Sequence, residues 1–381
     1  MIIDRADVVV VGLGVVGLST TAALARRGRV VGIDRWGSGH AVTSSTGASR
    51  SIRVAYDDER YVRLAQAAFQ GWRCLEAAHE VTLLHETGQV DLGPSVKLDA
   101  LAAAMRASDV PFDELDAPGV TARFPELHLR SDERALFHAE AGTVLADAAM
   151  RALARDAREA GADLSMPERC IVIDERPGHV EVVTDRRVLH ADTIVVAAGP
   201  WSGALLRLVG LELPLAPALA QVTFLDAPRL VDRPGLADWL MHDGVGVYGH
   251  PVPGVGYKVA FDAGSTDPWL PDVESWPPDG AEQERLLRWL AERMPGVEPR
   301  VALTQRHPWT MTPDGDFVID RQGGVVVATG CSGHAFKFGP ALGSLVADVV
   351  TGAARDDFGL FALDRPALRT GTALASTPIS R

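Results

Sequence analysis

Cysteine is scarce in this 381-residue chain: Cys74, Cys170 and Cys331 lie far apart with no CxxC pair, which excludes a disulfide framework and a thiolate zinc site. No other metal-ligand set is expected. Apolar runs long enough to cross a bilayer are missing, as are internal repeats and low-complexity segments. Positive charge is outweighed: 37 Lys and Arg against 50 Asp and Glu give a formal net charge of −13, which argues against nucleic acid or an anionic membrane as partner. A small molecule is the expected partner. The opening residues MIIDRAD carry charges and lead directly into a strand pattern, so no cleavable signal is expected and the protein is expected to be soluble and cytoplasmic. What is present is an ordinary globular composition, 47% hydrophobic and 23% charged, over a length that suits two domains.

The stretch VVVVGLGVVGLSTTAALARRGRVVGID, Val8 to Asp34, carries the strongest local signal. A β-branched run meets Gly12, Gly14 and Gly17 in GxGxxG spacing, followed by a helical pattern and a second short strand that ends at Asp34. Gly12 permits the tight turn, Gly14 lets backbone approach a pyrophosphate, and Gly17 lets helix and strand pack closely. The helix N-terminus offers N–H groups to phosphates, and Asp34, 22 residues after Gly12, is placed to accept a ribose hydroxyl. This predicts a dinucleotide site. The motif alone leaves NAD and FAD open.

Further along, residues 57–80 read as a long amphipathic helix, VTLLHETGQVDLG and ALFHAEAGTVL as strands around a polar stretch, and LADAAMRALARDAREAGA as a second helix. CIVIDE and HVEVVTD, separated by RPG, predict a hairpin, and TIVVAAGPW a buried strand. Strands QVTFLDA, GVGVYGH and GYKVAFDA follow, then the helix EQERLLRWLAERM, the strand GVVVATG and the helix GPALGSLVADVVTG. The expected fold is α/β: a Rossmann-like nucleotide domain over 1–80, 144–210 and 301–381, with a second, antiparallel-sheet substrate domain over 81–143 and 211–300. An NAD domain would continue its βαβ units without such interruption, so the arrangement favours FAD.

The stretches GLGVVGLSTTAALARRG, TGASRSIRVAY, YKVAF, TMTPDGDFVID and GCSGHAFKFGPALG together make the chain resemble the monomeric sarcosine oxidase family, within the wider D-amino-acid oxidase and glycine oxidase group, nearly end to end. The last stretch is the most specific, since core packing gives no reason to place His334 and Lys337 together after a strand. The resemblance implies FAD-dependent oxidation of a C–N bond beside a carboxylate, hydride passing to the flavin, the imine hydrolysing, and O2 becoming peroxide. It also implies a monomer acting on an amino-acid or amine substrate.

On this resemblance Lys258 matches a lysine near flavin N5 that helps form superoxide from oxygen, whereas composition alone would make it a snorkelling surface lysine. Arg53 and Lys337 match the pair that holds the substrate carboxylate, and Arg50 an arginine near the flavin ring; otherwise each is a surface charge or salt-bridge partner. Asp262 replaces an active-site histidine, favouring a cationic or hydrogen-bond-donating group on the substrate, and so a larger or cyclic amino acid over sarcosine. Trp309 matches an aromatic of the substrate cavity, although a core role fits equally well. The cofactor is expected to touch Gly12, Gly14, Val15, Val16, Gly17, Asp34 and Arg35, then Ser45, Thr46, Arg50, Cys170, Ala198, Gly199 and Trp201, and finally Gly330, Gly333, His334, Phe336 and Lys337.

Many relatives attach FAD through a cysteine ahead of an aromatic-T-x-T run. Here HPWTMTPDGDF puts His307 at that place, so non-covalent FAD is expected, with a histidyl link the alternative. Two other readings stay open: a dehydrogenase that passes electrons to a quinone or partner protein, and a flavoprotein that has lost catalysis.

Overall fold

The β-branched strands find their partners far away in sequence. In the computed structural model, which describes residues 3–37, 40–242, 245–265, 267–298, 300–353 and 358–371, the strand Ile3–Val11 lies in parallel between Val188–Val196 and Val30–Ile33. Val325–Thr329 adds in parallel to the far end of Val188–Val196, Asp163–Ser165 extends the other edge, and the predicted hairpin Cys170–Arg176 and His179–Thr184 closes the first side. With Val318–Gln322 these make an eight-stranded sheet. Its central strands are apolar on both faces, as a sheet covered by helices requires.

The helix Val15–Ala25 starts at the glycine turn and packs against Gly339–Thr351. At Gly12, φ is +96° and a Cβ would come within 2.6 Å of the Ala197 carbonyl oxygen. A Cβ at Gly17 would sit 1.9 Å from the Gly12 oxygen, so turn and helix touch as the sequence spacing predicts. The long helix Glu59–His79 begins where Asp58 accepts a hydrogen bond from the Arg60 amide, and it buries Tyr61, Val62, Phe69, Trp72 and Leu75 on one face. Each such large side chain contributes about 1.5–3 kcal/mol on removal from water.

The second sheet also has eight strands, in the order Val301–Met311, Ala216–Leu225, Gly256–Phe261, Val245–Val252, Gly235–His242, Gln89–Leu92, Arg134–His138 and Asp113–Asp116. All of its neighbours are antiparallel except Gly235–His242 beside Gln89–Leu92, which is parallel. Two features differ from the sequence reading. Residues 301–311, assigned above to the nucleotide domain, pair along Ala216–Leu225 and lie in the second sheet. Alternating polar and apolar residues there satisfy a strand as well as a connector. The stretch read as polar contains the helix Ser95–Ala107, whose Leu98, Leu101, Ala102 and Met105 are buried at helical spacing. Met1, Ile2 and 372–381, included in the expected nucleotide domain, lie outside the described residues. A small sheet of Ser49–Arg53, Ala141–Leu145 and Leu84–Glu86 bridges the two layers and carries Arg50 and Arg53.

Candidate active site

Four parallel strands end at one place. Val11 leads to Gly12, Ile33 to Asp34, Val196 to Ala198 and Thr329 to Gly330, and all of these residues except Val196 line one elongated cavity of about 290 Å³. Ligands bind at this carboxyl edge of parallel sheets because the strand ends there leave loops and helix N-termini free. Val15, Val16, Arg35, Ser45, Arg50, Cys170, Gly199, Trp201, Gly333 and Phe336 line it too.

The donors fit a dinucleotide. Asp34 accepts from the Leu13 and Trp36 amides, each at 2.7 Å, which fixes its carboxylate beside the glycine turn. Burial raises its pKa, against those two hydrogen bonds. Ser45 Oγ accepts from the Val15 amide at 3.0 Å, and a Cβ at Gly14 would sit 3.0 Å from that oxygen, so a side chain there would crowd the turn. Four buried donors at the cavity, Trp36 Nε1, Trp201 Nε1, Ser44 Oγ and Thr329 Oγ1, have no hydrogen-bond partner within the described residues, as a wall made to meet a polar ligand would.

Other expected contacts fall elsewhere. Gly17 is used in helix packing, because its hydrogen already faces Gly12. Thr46 turns its hydroxyl into its own loop, to the His40 carbonyl at 2.6 Å and Thr43 Oγ1 at 2.7 Å. His334 stacks on Phe317 at 4.6 Å and contacts the Gly315 carbonyl at 3.1 Å. With Lys337 it lines a second, smaller cavity that shares Arg50, Gly333 and Phe336 with the first. Trp309, expected at the substrate, lines the large cavity instead, because its strand edge faces the Thr329–Cys331 turn.

The small cavity gathers Arg53, Lys258, Asp262 and Lys337, which the sequence scatters over 285 positions. Lys258 is 3% exposed and donates to the Ser49 carbonyl at 3.0 Å, so it is no surface lysine. Burial and then the neighbouring Arg50 charge push its pKa well below the ordinary amine range. Arg50 is pinned by three backbone carbonyls, Ser49 at 2.8 Å and Ser44 and Thr46 at 2.7 Å. Carbonyls orient a guanidinium without cancelling its charge, and arginine stays cationic despite burial. Lys337 donates to Tyr56 Oη at 3.1 Å, and burial plus the Arg53 charge bring it down to about 7, against Asp262. Burial carries Asp262 up to about 6, against Arg53, Lys337 and Lys97.

His307 is buried beside Arg50 and Lys258; burial first, then those charges, lower it to about 3 and keep it neutral. Both cavity cysteines are thiols at neutral pH, Cys170 pushed up to about 12 by burial and Cys331 raised by the same cause. Sequence reasoning passed over Gln89, Trp239 and Tyr248, which also line the small cavity. No motif marks them, although the alternation in GVGVYGH did place Tyr248 on a strand.

From Asp262 the chain runs toward the helix Gly280–Arg293, laying Trp269 edge-on to Trp201 at 5.2 Å and pairing Asp272 with Arg35 at 2.8 Å. On the far hairpin, pairing brings His179, Glu181 and His190 together with donor atoms within 4.8 Å, which the sequence reading did not anticipate. The 3.1 Å contact of His190 with Glu181 accounts for two of them as a cross-strand pair. Among the described residues no helix is long and apolar enough to cross a membrane.

A glycine-turn nucleotide site thus adjoins a small chamber lined by Arg50, Arg53, Lys258, Asp262 and Lys337. The FAD dependent oxidoreductase family matches residues 7–349. Peroxisomal sarcosine oxidase of Homo sapiens is 30% identical over 360 residues, covering 90% of this chain and 91% of that protein. N-methyl-L-tryptophan oxidase of Salmonella typhimurium strain LT2 is 30% identical over 360 residues, 91% of this chain and 95% of that protein. The solved open form of NikD, an unusual amino acid oxidase essential for nikkomycin biosynthesis, superposes with a TM-score of 0.82 at 26% identity, covering 98% of this chain and 100% of that one. The chain belongs to the FAD dependent oxidoreductase family. Within it the chain is a sarcosine oxidase-like flavoprotein that acts on amino acids or amines.

Proposed function

We propose that this protein is an oxidase of a secondary or cyclic amino acid, holding FAD without a covalent bond, using O2 as acceptor and working as a cytoplasmic monomer. The observation that carries the reading is the convergence of Arg53, Lys337, Lys258 and Asp262 on one small cavity that opens on the nucleotide site. Bound FAD supplies the two-electron acceptor for C–N oxidation. Gly12, Gly14, Asp34 and Ser45 would hold its nucleotide part, and Arg50, Cys331 and Phe336 would border the flavin. Arg53 takes the substrate carboxylate through its fork and Lys337 adds a point charge, which fixes the face of the α-carbon. Asp262 faces the substrate nitrogen and receives its N–H, so an amine is preferred to a neutral group there. Lys258, beside Ser49, offers an N–H to the oxygen being reduced.

For the cofactor, the purified protein is expected to be yellow, and acid precipitation to leave the colour in the supernatant. Colour kept in the pellet would mean a link, most simply at His307. For the acceptor, peroxide release is screened against N-methyl, cyclic and D-amino acids. Turnover seen only with artificial acceptors would make the enzyme a dehydrogenase.

Protonation gives a sharper expectation. Lys337 at about 7 is charged below that pH and neutral above it, and Asp262 at about 6 becomes an anion above 6. Both changes disfavour a carboxylate as pH rises. The Kd of acetate, read from the flavin absorbance, is expected to climb between pH 6 and 8.5, by less than about tenfold per unit, since the protonated fraction binds more tightly while Arg53 still holds the rest. A flat profile would remove Lys337 from the carboxylate site.

A further inference from the structure

Arg53 of the small cavity rests on a polar mount that the sequence did not announce. The strand Gln89–Leu92 lies parallel to Gly235–His242, with Asp91 opposite Ala237. Asp91 is fully buried, and its Oδ1 accepts from Trp239 Nε1 and Gln89 Nε2, each at 3.0 Å. Its Oδ2 stands 3.2 Å from His138 Nε2, whose side chain has no exposure at all. Burial would raise the Asp91 pKa, but the His138 contact, the Arg53 charge and the Trp239 N–H outweigh it and hold the carboxyl below its usual range. The group is ionised at neutral pH. Trp239 and Gln89 line the small cavity, whereas Asp91 and His138 stand behind them. Over the Trp239 ring lie the Arg53 guanidinium at 5.3 Å and the Lys97 ammonium at 4.6 Å, and Arg53 also sits 4.1 Å over Tyr56.

We propose that Asp91 and His138 form a positioning unit that acts through Trp239 to set the guanidinium of Arg53 for the substrate carboxylate. The inference rests on the carboxylate role of Arg53 given above. A dry Asp–His pair is a poor way to stabilise a fold, because removing two polar groups from water cancels most of what their contact returns. Its geometry has a different use. An indole without its N–H anchor can turn in its pocket, and a ring that turns no longer presents its face to Arg53. The Asp91 charge also acts on Arg53 directly, as an opposite charge behind the ring. Asp91 and His138 line neither cavity, so they are positioning residues.

The test uses the FAD-loaded protein and two variants. Asp91→Asn keeps the shape and the acceptor oxygen but removes the charge; Trp239→Phe keeps the ring but removes the anchoring N–H. In both, the acetate Kd read from flavin absorbance and the KM of the best amino-acid substrate are expected to rise together by roughly tenfold, as a misoriented fork loses one of its two bonds. The fall in kcat is expected to be under about threefold, giving a KM-weighted split that a merely structural defect would not produce. An acetate Kd unchanged in both variants would overturn the proposal, and so would a loss confined to kcat. Should Asp91→Asn not fold, Trp239→Phe alone decides. If instead Arg53→Met leaves the acetate Kd unchanged, the carboxylate role itself has failed, a result separate from failure of the mount.

Discussion

Lys258→Met is expected to slow reoxidation of the reduced flavin by O2 by about 10²–10³-fold, the loss typical of removing one donor aimed at developing charge. Substrate should still reduce the flavin at close to the original rate. The reason lies in where the amine sits. Its pKa is depressed by burial and by Arg50, and its hydrogen bond goes to a neutral carbonyl of Ser49, so no acid compensates the charge. Oxygen that gains an electron beside it becomes the missing counter-ion, and the amine takes a proton as that charge arrives. Substrate oxidation presents no such anion at Lys258 if, as proposed, the carboxylate goes to Arg53 and Lys337. Stopped-flow spectroscopy separates the half-reactions: anaerobic mixing with substrate gives one, and mixing of reduced enzyme with oxygenated buffer the other. Equal losses in both would defeat the oxygen role.

Replacing Arg53 carries the other large effect. Arg53→Met should lower kcat/KM by about 10²–10⁴-fold, since hydrogen bonds between charged groups are worth about 1.5–3 kcal/mol each and the fork makes two. Arg53→Lys should recover only part of this, because an ammonium keeps the charge and loses the planar pair of donors. Lys337→Met should cost less. Its ammonium already donates to Tyr56 at 3.1 Å, and burial brings its pKa down to about 7, so its charge is only partly held near neutral pH. The gap between the two methionine variants is expected to widen from pH 6 to pH 8. Steady-state kinetics over that range measure it, and a constant gap would mean that Lys337 does not titrate in the site.

Much of the nucleotide half could be read from residues alone, because a β-branched run into GxGxxG has few foldable alternatives. The acid at Asp34 and the buried run TIVVAAGPW reinforced one another. Residues that act through their own backbone neighbourhood were harder. Thr46 could face the cavity or its own loop, and only the positions of the His40 carbonyl and Thr43 decide for the loop. Trp309 followed its strand into the larger cavity because residues 301–311 join the second sheet, a pairing with Ala216–Leu225 that no periodicity in either strand specifies. Gln89, Asp91, His138 and Trp239 were out of reach for the same reason. They come from three strands whose neighbours are set by tertiary packing, with no spacing in the chain to link them.

The partner order of the central strand also bears on how the chain is made. Ile3–Val11 pairs on one side with Val30–Ile33, which emerges soon after it, but on the other with Val188–Val196. At a synthesis rate of about 5–20 residues per second, that edge stays open for roughly 10–40 s before its partner exists. The turn at Gly330 comes later still. FAD capture must then follow translation of nearly the whole chain, and the exposed edge of Ile3–Val11 is the segment that a ribosome-bound chaperone would have to shield until then.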